Sequence, residues 1–165
     1  MSQSLGDMVR RESGRQMGDR QPEQAPRRTK RQTATALAGV PMFAGFSKRH
    51  LNRLAADTDV QAFGTGESIV REGDPGEALF VVLSGQGKVV RGKKRVGSVM
   101  PGDFFGELSA IDGGPRTASV IAETPMQVLR LFRRTLMALI KDEPQVSLKL
   151  LDGITRRVRQ VDRQA

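Results

Sequence analysis

The feature that most constrains this chain is a series of short apolar segments between residues 60 and 132, each bounded by glycine or proline. The segments include ALFVVLSG at 78–85, GKVVRG at 87–92 and MQVLRLF at 126–132. Many short strands separated by Gly- and Pro-rich turns are typical of an antiparallel sandwich or barrel. Because ALFVVL is apolar at every position, we expect that strand to be buried on both faces.

Helical patterns flank this β region on both sides. On its N-terminal side, one short helix is predicted to end at Gly39, and Ser47 is a good N-cap for the next helix. On its C-terminal side, apolar residues recur at helical spacing, and Pro144 ends one segment or opens the next. The pattern therefore predicts a β-roll on the scale of eight strands, with helices before and after it.

The last predicted helix has an apolar seam with spacings of three, four and three residues, formed by Leu151, Ile154, Val158 and Val161. Such a seam suits packing against a partner helix. It predicts a homodimer, or a partner protein that docks on the C-terminal helix.

Residues 1–35 are predicted to form a disordered basic tail. They are rich in Gln, Arg, Ser, Gly and Pro and hold few large apolar side chains, so they cannot bury enough surface to offset the entropy of ordering. Residues 36–165 are predicted to form one domain, with the β-roll at about 60–132 and the C-terminal helices at about 133–163.

Composition excludes several kinds of site. The chain has no cysteine and a single histidine, which excludes disulfides, zinc–cysteine sites and thiol nucleophiles. We expect no metal, no cofactor and no catalytic residue. No apolar run is long enough to span a bilayer, and the N-terminus lacks a hydrophobic secretory segment, so we expect a cytoplasmic protein with no membrane insertion.

The formal net charge of +9 is unevenly spread, and basic residues are concentrated locally in KVVRGKKR at 88–95 and TRRVRQ at 155–160. Such a surface attracts nucleic acid or another acidic partner. A solvated hairpin tip and a solvated helix face explain the same charges, and the chain has no Trp or Tyr on which bases would stack. A basic nucleic-acid- or ribosome-associated regulator, with or without nucleotide, stays open as the alternative function.

The stretch FGELSAIDGGPRTASV, at 105–120, places one carboxylate and one arginine among small and apolar residues. A short helical turn there presents free backbone N–H groups at Gly106 to Ser109, and the Arg116 guanidinium can bind two phosphate oxygens at once. Glu107 would repel phosphate but accepts a hydrogen bond from a neighbouring sugar hydroxyl. One phosphate and one ribose hydroxyl describe a cyclic nucleotide, while a structural Glu107–Arg116 salt bridge is the alternative.

This stretch resembles the phosphate-binding cassette of cyclic nucleotide-binding domains, and GESIVREGDPGEALFVVLSGQGKV at 66–89 resembles the strands that precede it in that family. The resemblance covers about residues 36–163. It implies an α+β fold, namely a double-stranded β-helix or jelly-roll-like β-roll flanked by N-terminal helices and C-terminal hinge and lid helices.

The resemblance also implies a role for each matching residue. Glu107 accepts from the ribose 2′-hydroxyl, Arg116 pairs with the cyclic phosphate, and Gly106 permits close approach of the backbone. Backbone N–H groups of Ser109 and Thr117 point at the phosphate. Apolar residues expected near the base are Val81, Leu83 and Leu108, and lid residues expected over the base are Ile154, Arg157, Val158 and Val161.

The function that the resemblance implies is that of a stand-alone sensor or regulatory module, not an enzyme. It binds a 3′,5′-cyclic nucleotide, its C-terminal helices respond to the ligand, and a separate partner receives the signal. Cyclic AMP is the favoured ligand. Cyclic GMP stays open, because the Thr117 hydroxyl is able to bond to a guanine folded over the phosphate.

Overall fold

The computed structural model describes residues 27–164. Most of the predicted tail lies outside the described residues. The first described helix begins at Lys30, so the prediction of disorder is wrong for residues 30–35. The reason is local: Thr29 and Gln32 form a reciprocal capping box, and the helix that follows buries Leu37.

Eight strands and five α-helices make up the described part of the chain. The strands are β1 (Asp59–Phe63), β2 (Ser68–Val70), β3 (Ala78–Ser84), β4 (Gly87–Arg91), β5 (Lys94–Val99), β6 (Phe104–Phe105), β7 (Ser119–Ala122) and β8 (Met126–Phe132). The helices are α1 (Lys30–Ala38), α2 (Lys48–Asp57), α3 (Glu107–Asp112), α4 (Arg133–Asp142) and α5 (Gln145–Gln164), with a 3-10 turn at Pro41–Phe43.

The strands form two antiparallel four-stranded sheets, in the orders β1-β8-β3-β6 and β2-β7-β4-β5. Side chains from both sheets share one apolar cluster inside the roll, which includes Val70, Phe80, Val82, Val120 and Val128. The α+β jelly-roll fold predicted above is therefore confirmed.

A second apolar cluster joins the helices to the outer face of the first sheet. Leu37 of α1, Leu51 of α2, Leu136 of α4 and Val146 of α5 all belong to it, together with Leu131 of β8. Because successive strand residues point to opposite faces, β3 contributes to both clusters. The expectation that ALFVVL is buried on both faces is confirmed.

The predicted helix boundaries follow from local chemistry. Gly39 is the C-cap of α1, and the Ser47 hydroxyl accepts a hydrogen bond from the backbone N–H of His50, as an N-cap does. None of the described helices is both long enough and apolar enough to cross a membrane.

The exposed stripe of α5 differs from the predicted seam at one position. Ile154 is half-buried and faces the body of the protein, while the exposed apolar side chains are Leu148, Leu151, Val158 and Val161, between 51% and 68% exposed. Val146 and Leu150 are buried, and Leu148 points away from them, whereas Val161 lies on the side of Leu150 but stays exposed near the end of the helix. The helix therefore packs through one face and leaves a second apolar face open.

Candidate ligand-binding site

Arg116 is the central residue of the site, and only 8% of it is exposed. Its Nη1 donates to the carbonyl oxygens of Ala78, at 2.8 Å, and of Gly106, at 3.1 Å. The guanidinium carbon lies 5.6 Å from the centre of the Phe80 ring. Since the hydrogen bonds it makes to described residues all come from Nη1, its Nε and Nη2 are left available to a ligand.

Two glycines make room for this guanidinium. A methyl group built on Gly76 would lie 2.6 Å from Arg116 Nη2, and one built on Gly106 would lie 2.6 Å from Nη1. Gly106 is also the N-cap of α3 and has a φ of +79°, which L side chains rarely adopt. Both positions therefore require glycine if Arg116 is to stay in place.

Backbone bonds fix Arg116 against the turn between β2 and β3. Its N–H donates to the carbonyl of Asp74 at 2.9 Å, and its carbonyl accepts from Gly73 at 2.8 Å. The Arg91 side chain, at the end of β4, donates to the carbonyl of Thr117 at 3.2 Å. The turn between β2 and β3 and the end of β4 thus hold in place the segment before β7 that contains Arg116.

Burial lowers the pKa of the Arg116 guanidinium, and the nearby Glu107 carboxylate opposes this effect by raising it. The pKa of Arg116 is lowered because the cost of desolvating the cation outweighs the stabilisation that Glu107 provides. A further anion beside Arg116 would offset this desolvation. The site is therefore electrostatically suited to an anionic ligand.

Glu107 opens α3 and is only 3% exposed. One of its oxygens, Oε1, accepts a hydrogen bond from Arg157 of α5. The other, Oε2, is buried and has no hydrogen-bond partner among residues 27–164. A buried carboxylate oxygen without a partner is costly, which points to a donor that a ligand supplies.

Arg157 joins α5 to the cassette. Its guanidinium donates to Glu107 and to the carbonyl of Phe104, and its central carbon lies 5.3 Å from the centre of the Phe104 ring. Sequence patterns indicated Arg157 only as a candidate lid residue. Its pairing with Glu107, fifty residues away, carries no local sequence signal.

Three charged groups, the guanidiniums of Arg116 and Arg157 and the carboxylate of Glu107, add up to one positive charge, and the charges of Arg71 and Asp74 in the neighbouring cavity cancel each other. A cyclic phosphodiester carries one negative charge, so it would neutralise the cluster. Next to Arg116 lies a cavity of about 220 Å³ lined by Ser68, Ile69, Val70, Arg71, Asp74, Pro75 and Phe80.

The structure does not bring every predicted residue to this site. Val81 and Leu83 lie in the cluster under the helices, on the face of β3 opposite to Phe80. The reason is the two-residue period of a strand, which turns alternate side chains away from Arg116. Leu108 points outward and is 42% exposed, whereas Ser109 is buried in α3 and Thr117 is exposed at the surface.

The four candidate lid residues divide in the same way. Ile154 and Arg157 face the body of the protein, and Arg157 reaches the cassette. Val158 and Val161 lie on the exposed stripe and make no lid in this arrangement.

The sequence did not indicate three residues that shape the site and have no polar side chain, namely Gly76, Phe80 and Gly153. Gly153 carried a usable signal, because an isolated glycine inside a helical pattern often has a packing reason. Within the described part of the chain, no group of three or more metal-ligating side chains comes together.

The two basic stretches are partly neutralised at the surface. Arg95 makes a two-pronged contact with Glu123, and Arg156 pairs with Asp152 one turn away on α5. Paired and exposed cations of this kind are typical of a solvated face.

The family model for the cyclic nucleotide-binding domain matches residues 60–143. The chain is 33% identical over 131 residues to a CRP-like cAMP-activated global transcriptional regulator of Mycobacterium tuberculosis, a match that covers 76% of this chain and 58% of the relative. It is 31% identical over 123 residues to a cAMP-dependent protein kinase regulatory subunit of Hypocrea atroviridis, covering 74% and 25%.

The solved structure of the Catabolite Activator Protein of Thermus thermophilus is similar as well, with a TM-score of 0.67 at 32% sequence identity. That match covers 75% of this chain and 61% of the other. The chain thus spans about three fifths of the length of the bacterial relatives and a quarter of the kinase subunit.

Proposed function

This chain belongs to the cyclic nucleotide-binding domain family, and from that premise we propose that it is a sensor of a 3′,5′-cyclic nucleotide, with cyclic AMP as the favoured ligand. The observation that carries the proposal is a buried Arg116 whose Nε and Nη2 donate to no described residue, beside a buried Glu107 oxygen that has no partner in the described part of the chain. The names of the relatives above, which refer to cAMP, support the choice of base.

In the proposed complex, Arg116 Nε and Nη2 donate to the equatorial oxygens of the cyclic phosphate. Charged hydrogen bonds from a planar guanidinium are strong and directional. Backbone N–H groups at the start of α3 add further donors, among which Ser109 is proposed, and Thr117 adds one from the other side. The ribose 2′-hydroxyl donates to Glu107 Oε2.

We propose that α5 carries the response. Glu107 bonds to the ribose through one oxygen and to Arg157 of α5 through the other, so the ligand and the helix share one carboxylate. A ligand shifts a conformational equilibrium only if it binds one state better than the other. Fixing Glu107 favours the state in which Arg157 is bound, and this state holds α5 against the cassette.

The exposed stripe of α5 is the proposed contact with the next component, either a second copy of the chain or a separate protein. Leu148, Leu151 and Val158, which share one side of the helix and are between 55% and 68% exposed, form its centre, and exposed apolar patches commonly mark interaction sites. The relatives named above are regulators, and we propose no catalytic activity here. The pairing of Arg95 and Arg156 with neighbouring carboxylates favours a solvated face over a nucleic-acid contact at these two residues.

Hydrogen exchange tests the response directly. On addition of saturating cyclic AMP, exchange in residues 146–164 is expected to slow, because the ligand stabilises the docked state of α5. The slowing in α5 is expected to exceed any change in α2, which packs in the same apolar cluster and serves as the internal comparison. Identical exchange in α5 with and without the ligand would show that this helix does not respond.

A further inference from the structure

A glycine of α5 packs against the aromatic ring that directly precedes the cassette. A methyl group built on Gly153 would lie 2.9 Å from Phe104 Cε1, and nearer still to Cζ of the same ring. Real side chains essentially never come this close, so the α5 backbone and the Phe104 ring can adopt their present separation only if residue 153 has no side chain.

Gly153 lies on the face of α5 that packs against the protein. Val146, Leu150, Gly153 and Arg157 follow one another at spacings of four, three and four, which puts them on one side of a helix. Val146 and Leu150 belong to the apolar cluster between the helices and the first sheet, and they anchor the first half of α5. The Gly153–Phe104 contact is the next one along this face, one turn before Arg157.

The backbone conformation at position 153 does not require glycine. Gly153 is not among the glycines with positive φ, and it stands inside a helix of twenty residues. Glycine at such a position disfavours the helix relative to alanine. The close approach to Phe104 accounts for its presence, since any side chain would force either α5 or the Phe104 ring to move.

We propose that Gly153 and Phe104 are positioning residues for nucleotide recognition: their contact sets the separation at which Arg157 reaches Glu107. The Phe104 carbonyl accepts from Arg157 as well, so one residue both spaces the helix and receives its guanidinium. This inference rests on the proposed function, in which Glu107 binds the ribose hydroxyl. Moving α5 outward by a methyl group withdraws Arg157 and leaves the buried Glu107 charge without a partner.

Gly153→Ala separates this role from a merely structural one. Alanine is the better helix former, so the change should stabilise the helix unless the contact with Phe104 matters. We expect cyclic AMP affinity to fall about tenfold, the scale of a modest overpacking cost. The preference for cyclic AMP over its 2′-deoxy analogue should shrink in the same variant, because Glu107 loses its orientation. Gln160→Ala is the matched control, since Gln160 is exposed on the same helix, and its affinity should equal that of the wild type.

Phe104→Leu combined with Gly153→Ala provides the rescue. Leucine lacks the ring atoms that meet the new methyl group, so the double variant should recover most of the affinity that Gly153→Ala loses, measured against Phe104→Leu alone. If the double variant instead loses as much binding free energy as the two single variants together, the two positions do not act through their contact. That result would overturn the inference.

A readout without ligand keeps this test separate from the proposed function. In the ligand-free protein, Gly153→Ala should speed hydrogen exchange in residues 154–164, whereas Gln160→Ala should leave it unchanged or slow it. If the wild type binds no cyclic nucleotide but this difference appears, the proposed function fails and the spacing role stands. If Gly153→Ala slows exchange as an ordinary helix-stabilising change does, the spacing role is wrong.

Discussion

Replacing Arg116 with lysine is expected to remove most of the affinity for cyclic AMP, although the positive charge is kept. Lysine cannot reproduce the planar fork that places Nη1 on two carbonyls while Nε and Nη2 face the ligand. Each charged hydrogen bond that is lost is worth about 1.5–3 kcal/mol. Loss of both bonds in Arg116→Ala therefore corresponds to a decrease in affinity of about 100-fold or more, measurable by titration calorimetry.

Arg95→Ala is the matched control for this prediction. Arg95 also makes a two-pronged contact, but with Glu123 at an exposed position of the second sheet, so its removal should leave the affinity unchanged. The melting temperature of each variant must accompany the titration, because Arg116→Ala leaves the carbonyls of Ala78 and Gly106 without their donor. A folded Arg116→Lys protein with wild-type affinity would contradict the phosphate role of Arg116.

Replacing Glu107 with alanine is expected to weaken cyclic AMP binding by about tenfold or more, since a hydrogen bond to a charged group is lost. The same change should abolish discrimination of the sugar. The wild type is expected to bind the 2′-deoxy analogue more weakly than cyclic AMP by at least about 1 kcal/mol, and Glu107→Ala should bind the two ligands alike. Competition titrations with both ligands measure this difference.

A second glutamate provides the comparison for Glu107. Glu123 is ion-paired as well but lies at the surface, and Glu123→Ala should keep the full preference for the 2′-hydroxyl. Removal of one partner from a buried charged pair is also destabilising, so Glu107→Gln serves as the milder variant. Equal binding of the deoxy analogue by the wild type would show that Glu107 does not read the ribose.

Local patterns were sufficient to predict the roll and its helices. Glycines and prolines between short apolar runs predicted the strands, while the caps at Gly39 and Ser47 predicted helix ends that the structure confirms. The two-residue strand β6 was missed, because Phe104 and Phe105 stand in a short stretch whose residue types suit a helical turn. Pairing with Phe80 and Val81 of β3 makes it a strand.

Contacts between distant parts of the chain were not predictable in the same way. Helical spacing identified an apolar side of α5, but it could not show that Ile154 faces inward while Leu148 stays exposed. In the same way, the apolar strand β3 gave no indication of which alternate residues face Arg116. Both answers depend on where the helices cover the sheet, and this is a property of the whole fold.

The ionic contact between Arg157 and Glu107 is the clearest example. An arginine in a basic helix has no sequence signal that distinguishes it from Arg156 or Arg159 beside it. Arg157 lies one turn after Gly153 on the face of α5 that packs against the protein, and this position around the helix puts Arg157, and neither neighbour, on the buried carboxylate.

Calorimetric titration with cyclic AMP, cyclic GMP and 5′-AMP tests whether this site binds the singly charged phosphodiester of a cyclic nucleotide. The cluster of Arg116, Glu107 and Arg157 carries one positive charge, so it is matched by one negative charge and not by two. We expect saturable binding of cyclic AMP, weaker binding of cyclic GMP, and binding of 5′-AMP that is weaker still. No binding of either cyclic nucleotide, or a preference for 5′-AMP over both, would contradict the account.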